Sequence, residues 1–287
     1  MTSPAIVVVG SIHYDIFVNA PHRPAAGETV TGQSWHPKFG GKGGNQAVSA
    51  ARSGSPTRLV SAVGQDDFAA FTLAHLGQTG VQTGHIARIA GAGTGMSVAI
   101  SDASGDYGAV IVSGANLQID PQGLSDDALW QDARYLVLQN EIPEPVNIAA
   151  AQMARQRGVA VCLNAAPWRE MSETFLDLVD IVVVNSIEAQ AMCGATVDSL
   201  PAAAEAAKAL AARFECAIVT AGGSGVAYHA GDAAGVVPGE KVDVVSTHGA
   251  GDHFIGVLIG TLTQGSSYAE AVRAANLSAA RHVAGGV

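Results

Sequence analysis

Positive charge is scarce in this sequence: 15 Lys and Arg stand against 25 Asp and Glu, a formal net charge of -10. No basic stripe is available to neutralise a phosphate backbone, which argues against a nucleic-acid partner. Long apolar runs are lacking as well. No stretch approaches the roughly 20 apolar residues of a membrane span, so no membrane partner is expected. Met1-Thr-Ser-Pro passes straight into Ala5 to Gly10 without the charged lead, apolar core or cleavage site of a signal peptide. Cysteine is limited to Cys162, Cys193 and Cys216, an odd and scattered set. That suits free thiols in a reducing, cytoplasmic compartment better than a disulfide framework or a zinc site. Aromatic residues make up 5% of the chain, which leaves Val, Ile, Leu and Ala to fill the core. The balance of 48% hydrophobic to 14% charged residues describes a globular chain and not a disordered one.

What is present is an alternation. Short β-branched runs at Ile6 to Val9, Leu59 to Val63, Tyr135 to Gln139, Val159 to Asn164, Ile181 to Asn185 and Ala217 to Thr220 are followed by helical stretches. The helices are expected at Asn45 to Ser53, Phe68 to Leu76, Pro145 to Arg157 and Leu200 to Phe214, with Gly158 as a stop. This order predicts an α/β fold with a mostly parallel central sheet flanked by helices, in one domain spanning 1–287. Two stretches break the pattern, at about 11–35 and 94–113. They read as antiparallel strands outside the main sheet, around a turn at Asp102-Ala-Ser-Gly-Asp106, and predict a small discontinuous β lid.

The strongest local signal for chemistry is Val244-Val-Ser-Thr-His-Gly-Ala-Gly-Asp-His-Phe-Ile255, a strand-like start that runs through a glycine-rich turn into a helix at Phe254 to Leu262. Such a turn aims free N–H groups of Gly249, Ala250 and Gly251 at one point, where with the helix dipole they bind anions. Asp252 beside that hole can accept a proton from an attacking hydroxyl, and the helix terminus would keep it ionised. From this segment alone a helix cap with a tight turn explains the residues equally well. Gly40-Gly41-Lys42-Gly-Gly-Asn45-Gln46 is a second cluster. It lacks the first Gly and the Ser or Thr of a Walker A loop, and its amides, Lys42 and Asn45 suit a ligand rich in hydroxyls.

Further candidates stand at strand ends, where open α/β sheets bind ligands: Asp15, Glu141, Asn164, Asn185 and Thr220. Asn185-Ser-Ile-Glu188 sets a carboxylate one turn beyond a strand, a workable place for Mg²⁺ held through water. Thr220-Ala-Gly222-Gly-Ser-Gly225 offers hydroxyls and amides for nucleotide phosphates. Each of these taken singly also serves as a cap or turn. His13, His248 and His253 do not have the spacing of a metal site.

These ordered segments resemble the ribokinase-like, or PfkB, carbohydrate kinase family from Gly10 to about Ala280. The resemblance rests on Gly10-Ser-Ile-His-Tyr-Asp15, Pro24-Ala-Ala-Gly-Glu-Thr29, Gly40 to Ala47, Gly114-Ala-Asn116, Gln139-Asn-Glu141, Asn164-Ala-Ala-Pro167, Asn185-Ser-Ile-Glu188, Thr220 to Gly225 and Gly249 to Asp252. It implies transfer of the γ-phosphoryl group of Mg·ATP to a primary hydroxyl of a pentose-like sugar, ribose or a relative. Asp252 would be the base and the Gly249, Ala250 and Gly251 segment the anion hole. It further implies that His13, Asp15, Gly41, Lys42, Asn45 and Glu141 hold the sugar. Asn185, Thr220, Gly222, Gly225, Gly251 and Asn276 would contact ATP, and Glu188 would act on Mg²⁺ indirectly. The lid would mediate a homodimer. Family members of this type usually carry Asp-Thr-Thr where this chain has Ser246-Thr247-His248, and the Asp helps bind an activating potassium ion. Ser246 brings no charge, which speaks against potassium here, while a protonated His248 would add a cationic donor. His13 replaces a sugar-binding Asn, and His253 and Ile255 replace Thr and Asn. Two other readings are a nucleoside kinase of the same family, with Tyr14 or lid residues as a wall for the base, and a catalytically silent sugar or nucleotide sensor.

Overall fold

β-Branched runs and alanine-rich helices alternate along the chain, and the computed structural model, which describes residues 3–102 and 107–286, sorts them into two sheets. The first part runs β1 (Ala5–Val9), β2 (His13–Asn19), β3 (Ser34–Gly40), α1 (Lys42–Arg52), β4 (Thr57–Val63), α2 (Asp67–Leu76) and β5 (Gln82–Arg88). Then come β6 (Met96–Ser101), β7 (Tyr107–Val112), α3 (Asp127–Trp130), β8 (Ala133–Gln139), α4 (Glu144–Gln156), β9 (Ala160–Asn164) and α5 (Glu173–Leu176). The last part holds β10 (Ile181–Asn185), α6 (Ser186–Cys193), α7 (Leu200–Leu210), β11 (Cys216–Thr220), β12 (Gly225–Ala230), β13 (Ala233–Pro238), α8 (Ala250–Thr263) and α9 (Tyr268–Val283).

The large sheet has nine strands in the order β13-β12-β11-β10-β9-β8-β1-β4-β5. From β11 to β5 all pairs are parallel, and only β12 and β13 join antiparallel. Alternate side chains of the strands feed two separate cores, as period-2 geometry requires. Val7, Val9, Leu136 and Leu138 pack with α4 and α7 residues such as Ala150 and Ala206. Ile6, Val8 and Val137 pack on the other side with α1, α8 and α9 through Ala47, Phe254 and Val272. Strand order turns in opposite directions from β1 and β8, so a crevice opens at their C-terminal ends.

On that crevice side lies the small sheet, ordered β3-β2-β6-β7. It differs from the fully antiparallel lid expected. β2 pairs antiparallel with β3 and β6 with β7, but the central pair β2 and β6 is parallel. The two hairpins leave the main sheet in the same sense, after β1 and after β5, so their first strands run side by side. The lid also reaches Gly40, beyond the boundary at 35. Of the turn expected at Asp102 to Asp106, residues 103–106 lie outside the described residues.

Helix α1 begins at Lys42 and α8 at Ala250, both earlier than residue preferences indicate. They cross closely because α8 presents Gly256 and Gly260 to α1. A Cβ at Gly256 would lie 2.3 Å from the Ser49 Cβ, and one at Gly260 would lie 1.8 Å from the Ser53 Oγ. This contact sets the first turns of the two helices beside each other.

Candidate active site

At the start of α8, Gly249 is the residue before the helix, with φ 75° in the left-handed region. Asp252 stands in the first turn, and its side chain makes no cap bond. Its carboxylate instead accepts from Gln46 Nε2 at 2.8 Å and from Asn45 Nδ2 at 3.3 Å, both on α1. The capping explanation of this residue is therefore overturned. Ala250 N–H donates to the Thr247 carbonyl at 3.2 Å. Among the described residues no acceptor takes the N–H of Gly249, Gly251 or Asp252. Three donors thus remain at the positive end of a 14-residue helix.

Asp252 is 7% exposed. Burial pushes its carboxyl above the ordinary range, opposed by the Lys42 charge and the Gln46 bond, with Glu141 adding to the rise. The helix terminus was expected to keep it ionised, and the loss of water works against that. A carboxyl displaced in this direction is a better proton acceptor once ionised.

Glu141 follows β8 and meets the residues that follow β1. Its Oε2 accepts from Ser11 Oγ at 2.5 Å and from the Lys42 N–H at 2.8 Å. No side chain of α1 itself caps that helix, so Glu141 does so from across the crevice. Gly41, with φ 88°, sits where a Cβ would lie within 2.8 Å of the Ser11 carbonyl and the Ile12 Cα. The tight passage from β3 into α1 needs glycine there.

The lid contributes Asp15, 4% exposed, which accepts from Ser97 Oγ across the parallel β2 and β6 pair. Its other oxygen lies 3.8 Å from His248 Nε2. His248 also meets the Phe17 ring edge-on at 5.1 Å, so the lid rests on the segment that leads into α8. Burial and the nearby Lys38 hold the His248 pKa below the usual imidazole value, partly offset by Asp15. This direction favours the neutral imidazole over a cationic donor. His13 is 3% exposed and its Nε2 has no partner among the described residues. Tyr14, a candidate wall for a nucleobase, is stacked on Phe68 at 4.1 Å and edge-on to Phe71, so its ring is committed to α2.

The remaining candidates line the ends of β10 to β13. Asn185 caps α6 by accepting from the N–H of Ile187 and Glu188, and Glu188 returns bonds to the Asn185 N–H and Nδ2 at 2.8 and 2.9 Å. This reciprocal capping box is their local role. Glu188 is buried and its pKa is raised by that burial, against the Asn185 bonds and the Lys42 charge. Thr220 ends β11, and Gly222 opens the short 3-10 turn that leads to Gly225. Asn276 donates to the Pro238 carbonyl at 2.9 Å, tying α9 to the end of β13. Ser11, Gln46 and Ser97 also belong to the site. No local motif gives them a role, because their partners lie 130, 206 and 82 residues away.

A lidded crevice at the strand ends, with a buried carboxylate at a helix start rich in free amides, defines an α/β enzyme of the sugar kinase class. The pattern of the pfkB family carbohydrate kinases matches residues 3–284, and the chain belongs to that family. It is 32% identical to a ribokinase of Haemophilus influenzae over 277 residues, 96% of this chain and 90% of that protein. To a ribokinase of Bacillus subtilis it is 33% identical over 280 residues, 97% of this chain and 92% of the other. Among solved structures, Arabidopsis thaliana ribokinase complexed with ribose and ATP superposes with a TM-score of 0.89 at 28% identity, covering 98% of this chain and 93% of that one. No described helix is long and apolar enough to cross a membrane.

Proposed function

We propose that the chain transfers the γ-phosphoryl group of ATP to a primary hydroxyl of ribose or a closely related pentose. The observation that carries this reading is the buried Asp252 carboxylate, held by Asn45 and Gln46 beside the unpaired amides of Gly249 and Gly251. The sugar hydroxyls would be held by Asp15, Lys42, Asn45 and Glu141, with the Gly41 turn and His13 closing the floor. Asp252 takes the proton of the reacting hydroxyl, and the amides of Gly249 and Gly251 stabilise the charge on the transferring group. ATP would lie along Asn185, Thr220, Gly222, Gly225 and Asn276. The relatives described above, two of them ribokinases by sequence, support the pentose and the nucleotide.

Glu188 fits a water-mediated Mg²⁺. Each of its oxygens accepts one bond from Asn185, and a carboxylate retains further lone pairs. Mg²⁺, when bound with ATP, neutralises phosphate charge. The unpaired thiols suit a cytoplasmic protein. The lid leaves Val110, Ile111, Val112 and Trp35 between 52% and 68% exposed, an apolar surface suited to a second copy of the chain.

A coupled ADP-release assay over a panel of sugars and nucleosides tests the reading. Ribose-type sugars should give turnover, and Asp252→Asn should lower kcat by about 10²- to 10⁴-fold. Unchanged turnover in that variant would sink the mechanism.

A further inference from the structure

The segment between β13 and α8 is fastened to the last turns of α9. The N–H groups of Val245 and Ser246 donate to the Val283 carbonyl at 2.9 and 3.2 Å. His282 Nε2 lies 3.0 Å from the His248 carbonyl. A carbonyl can only accept, so the imidazole donates and Nε2 carries the hydrogen. Within the segment, Ser246 Oγ accepts from the His248 N–H at 3.2 Å. The His282 ring in turn stacks on His253 at 4.9 Å, and His253 is held by Ser278 at 2.8 Å and Ser49 at 3.3 Å.

The peptide plane makes this contact consequential. In a trans peptide the C=O and N–H point in opposite directions. Drawing the His248 carbonyl toward α9 therefore turns the Gly249 N–H away from α9, and that N–H is one of the three free donors at the start of α8. The same geometry does not fit the potassium ion that the family resemblance implies at this segment. Ser246 supplies no charge, its hydroxyl is engaged with the His248 N–H, and the His248 carbonyl is already bonded to His282.

We propose that His282 is a positioning residue: it fixes the His248–Gly249 peptide so that the amide hole at α8 is formed without a monovalent cation. This rests on the kinase reading above. Two measurements on the full chain test it, using His282→Phe, which keeps a stacking ring but no donor, and His282→Gln, which keeps an N–H donor. The first is ADP release with ribose in sodium or potassium as the sole monovalent cation. The second is hydrogen exchange of the peptide covering residues 245–252.

Wild type should turn over equally in both salts, to within about twofold. His282→Phe should lose at least about tenfold in kcat in both, with the sugar KM moving less than about threefold, since a hole donor acts on the transition state. Its 245–252 peptide should exchange faster while the rest of the chain keeps wild-type protection. His282→Gln should restore most of both. Potassium activation of wild type by about tenfold or more, or wild-type kcat and exchange in His282→Phe, would overturn the proposal. Absence of turnover on every sugar in either salt counts against the kinase reading alone, and the exchange comparison then decides the role of His282. If His282→Phe loses protection throughout, His282→Ala is read by the same two criteria.

Discussion

At the scale of the residue, Asp252 lies under two opposing influences. Lys42 and the bonds from Gln46 and Asn45 favour its charge, while the loss of water disfavours it, and the loss of water prevails. Because Asp252 as the proposed base must be ionised, kcat should fall with decreasing pH through a value above the ordinary aspartate range. Lys42→Met removes a charge that lowers the pKa and should move this acid limb further upward. A kcat profile against pH at saturating sugar and ATP checks both, and a limb at the ordinary aspartate position speaks against Asp252 as the base. His253 gives a separate pH effect on stability. Burial and the neighbouring His282 and Arg52 lower its pKa to about 4, against 6.5 for a free imidazole. Below about pH 6.5 the unfolded chain takes up a proton that the folded chain refuses, so stability falls as pH drops from there toward about 4. His253→Gln, which can still bond Ser49 or Ser278, should flatten the decline of Tm between these limits.

At the scale of the element, close approach of α1 and α8 carries the geometry of the proposed base. Gly256→Ala would gain about 1 kcal/mol of helix propensity. The new Cβ would meet Ser49 at 2.3 Å and the Ala50 backbone nitrogen at 2.7 Å, and relief requires the helices to part. Overpacking of this kind costs about 1–3 kcal/mol. The expected net result is a Tm lower by a few degrees and a larger loss of kcat than of sugar affinity, measured by calorimetry and steady-state kinetics. The same crossing marks what the sequence reveals and what it hides. Ile181–Asn185 is readable to the residue because five β-branched or capping residues stand together. The start of α1 is not, because Gly43 and Gly44 are poor helix formers and only tertiary contact makes them helical. β5 and β13 are likewise obscure, being polar or exposed edge strands without a continuous apolar run. For the site, Asp252, Lys42 and Glu141 stand out by residue type and position. Gln46, Ser11 and His282 take their meaning from partners far along the chain, which no local pattern records.

At the scale of the whole molecule, the lid carries the proposed contact between two copies of the chain. β7 is an edge strand with Val110, Ile111 and Val112 all exposed, a surface that isolated chains rarely leave uncovered. If the lid joins two copies as proposed, Val110→Asp combined with Val112→Asp should convert that dimer to monomer in light scattering after size exclusion. A wild type that is monomeric at micromolar concentration would dispose of the lid interface.

The parallel pairing of β2 with β6 has a further result for how the molecule comes into being. Asp15 and Ser97 meet across a span of 82 residues, and that span contains α1, β4, α2 and β5. Closing so long a loop costs entropy, and a two-stranded hairpin is marginal alone. The β1, β4 and β5 side of the main sheet is therefore expected to form before the lid strands join. The Asp15 position proposed to hold the sugar is then expected to form late in folding.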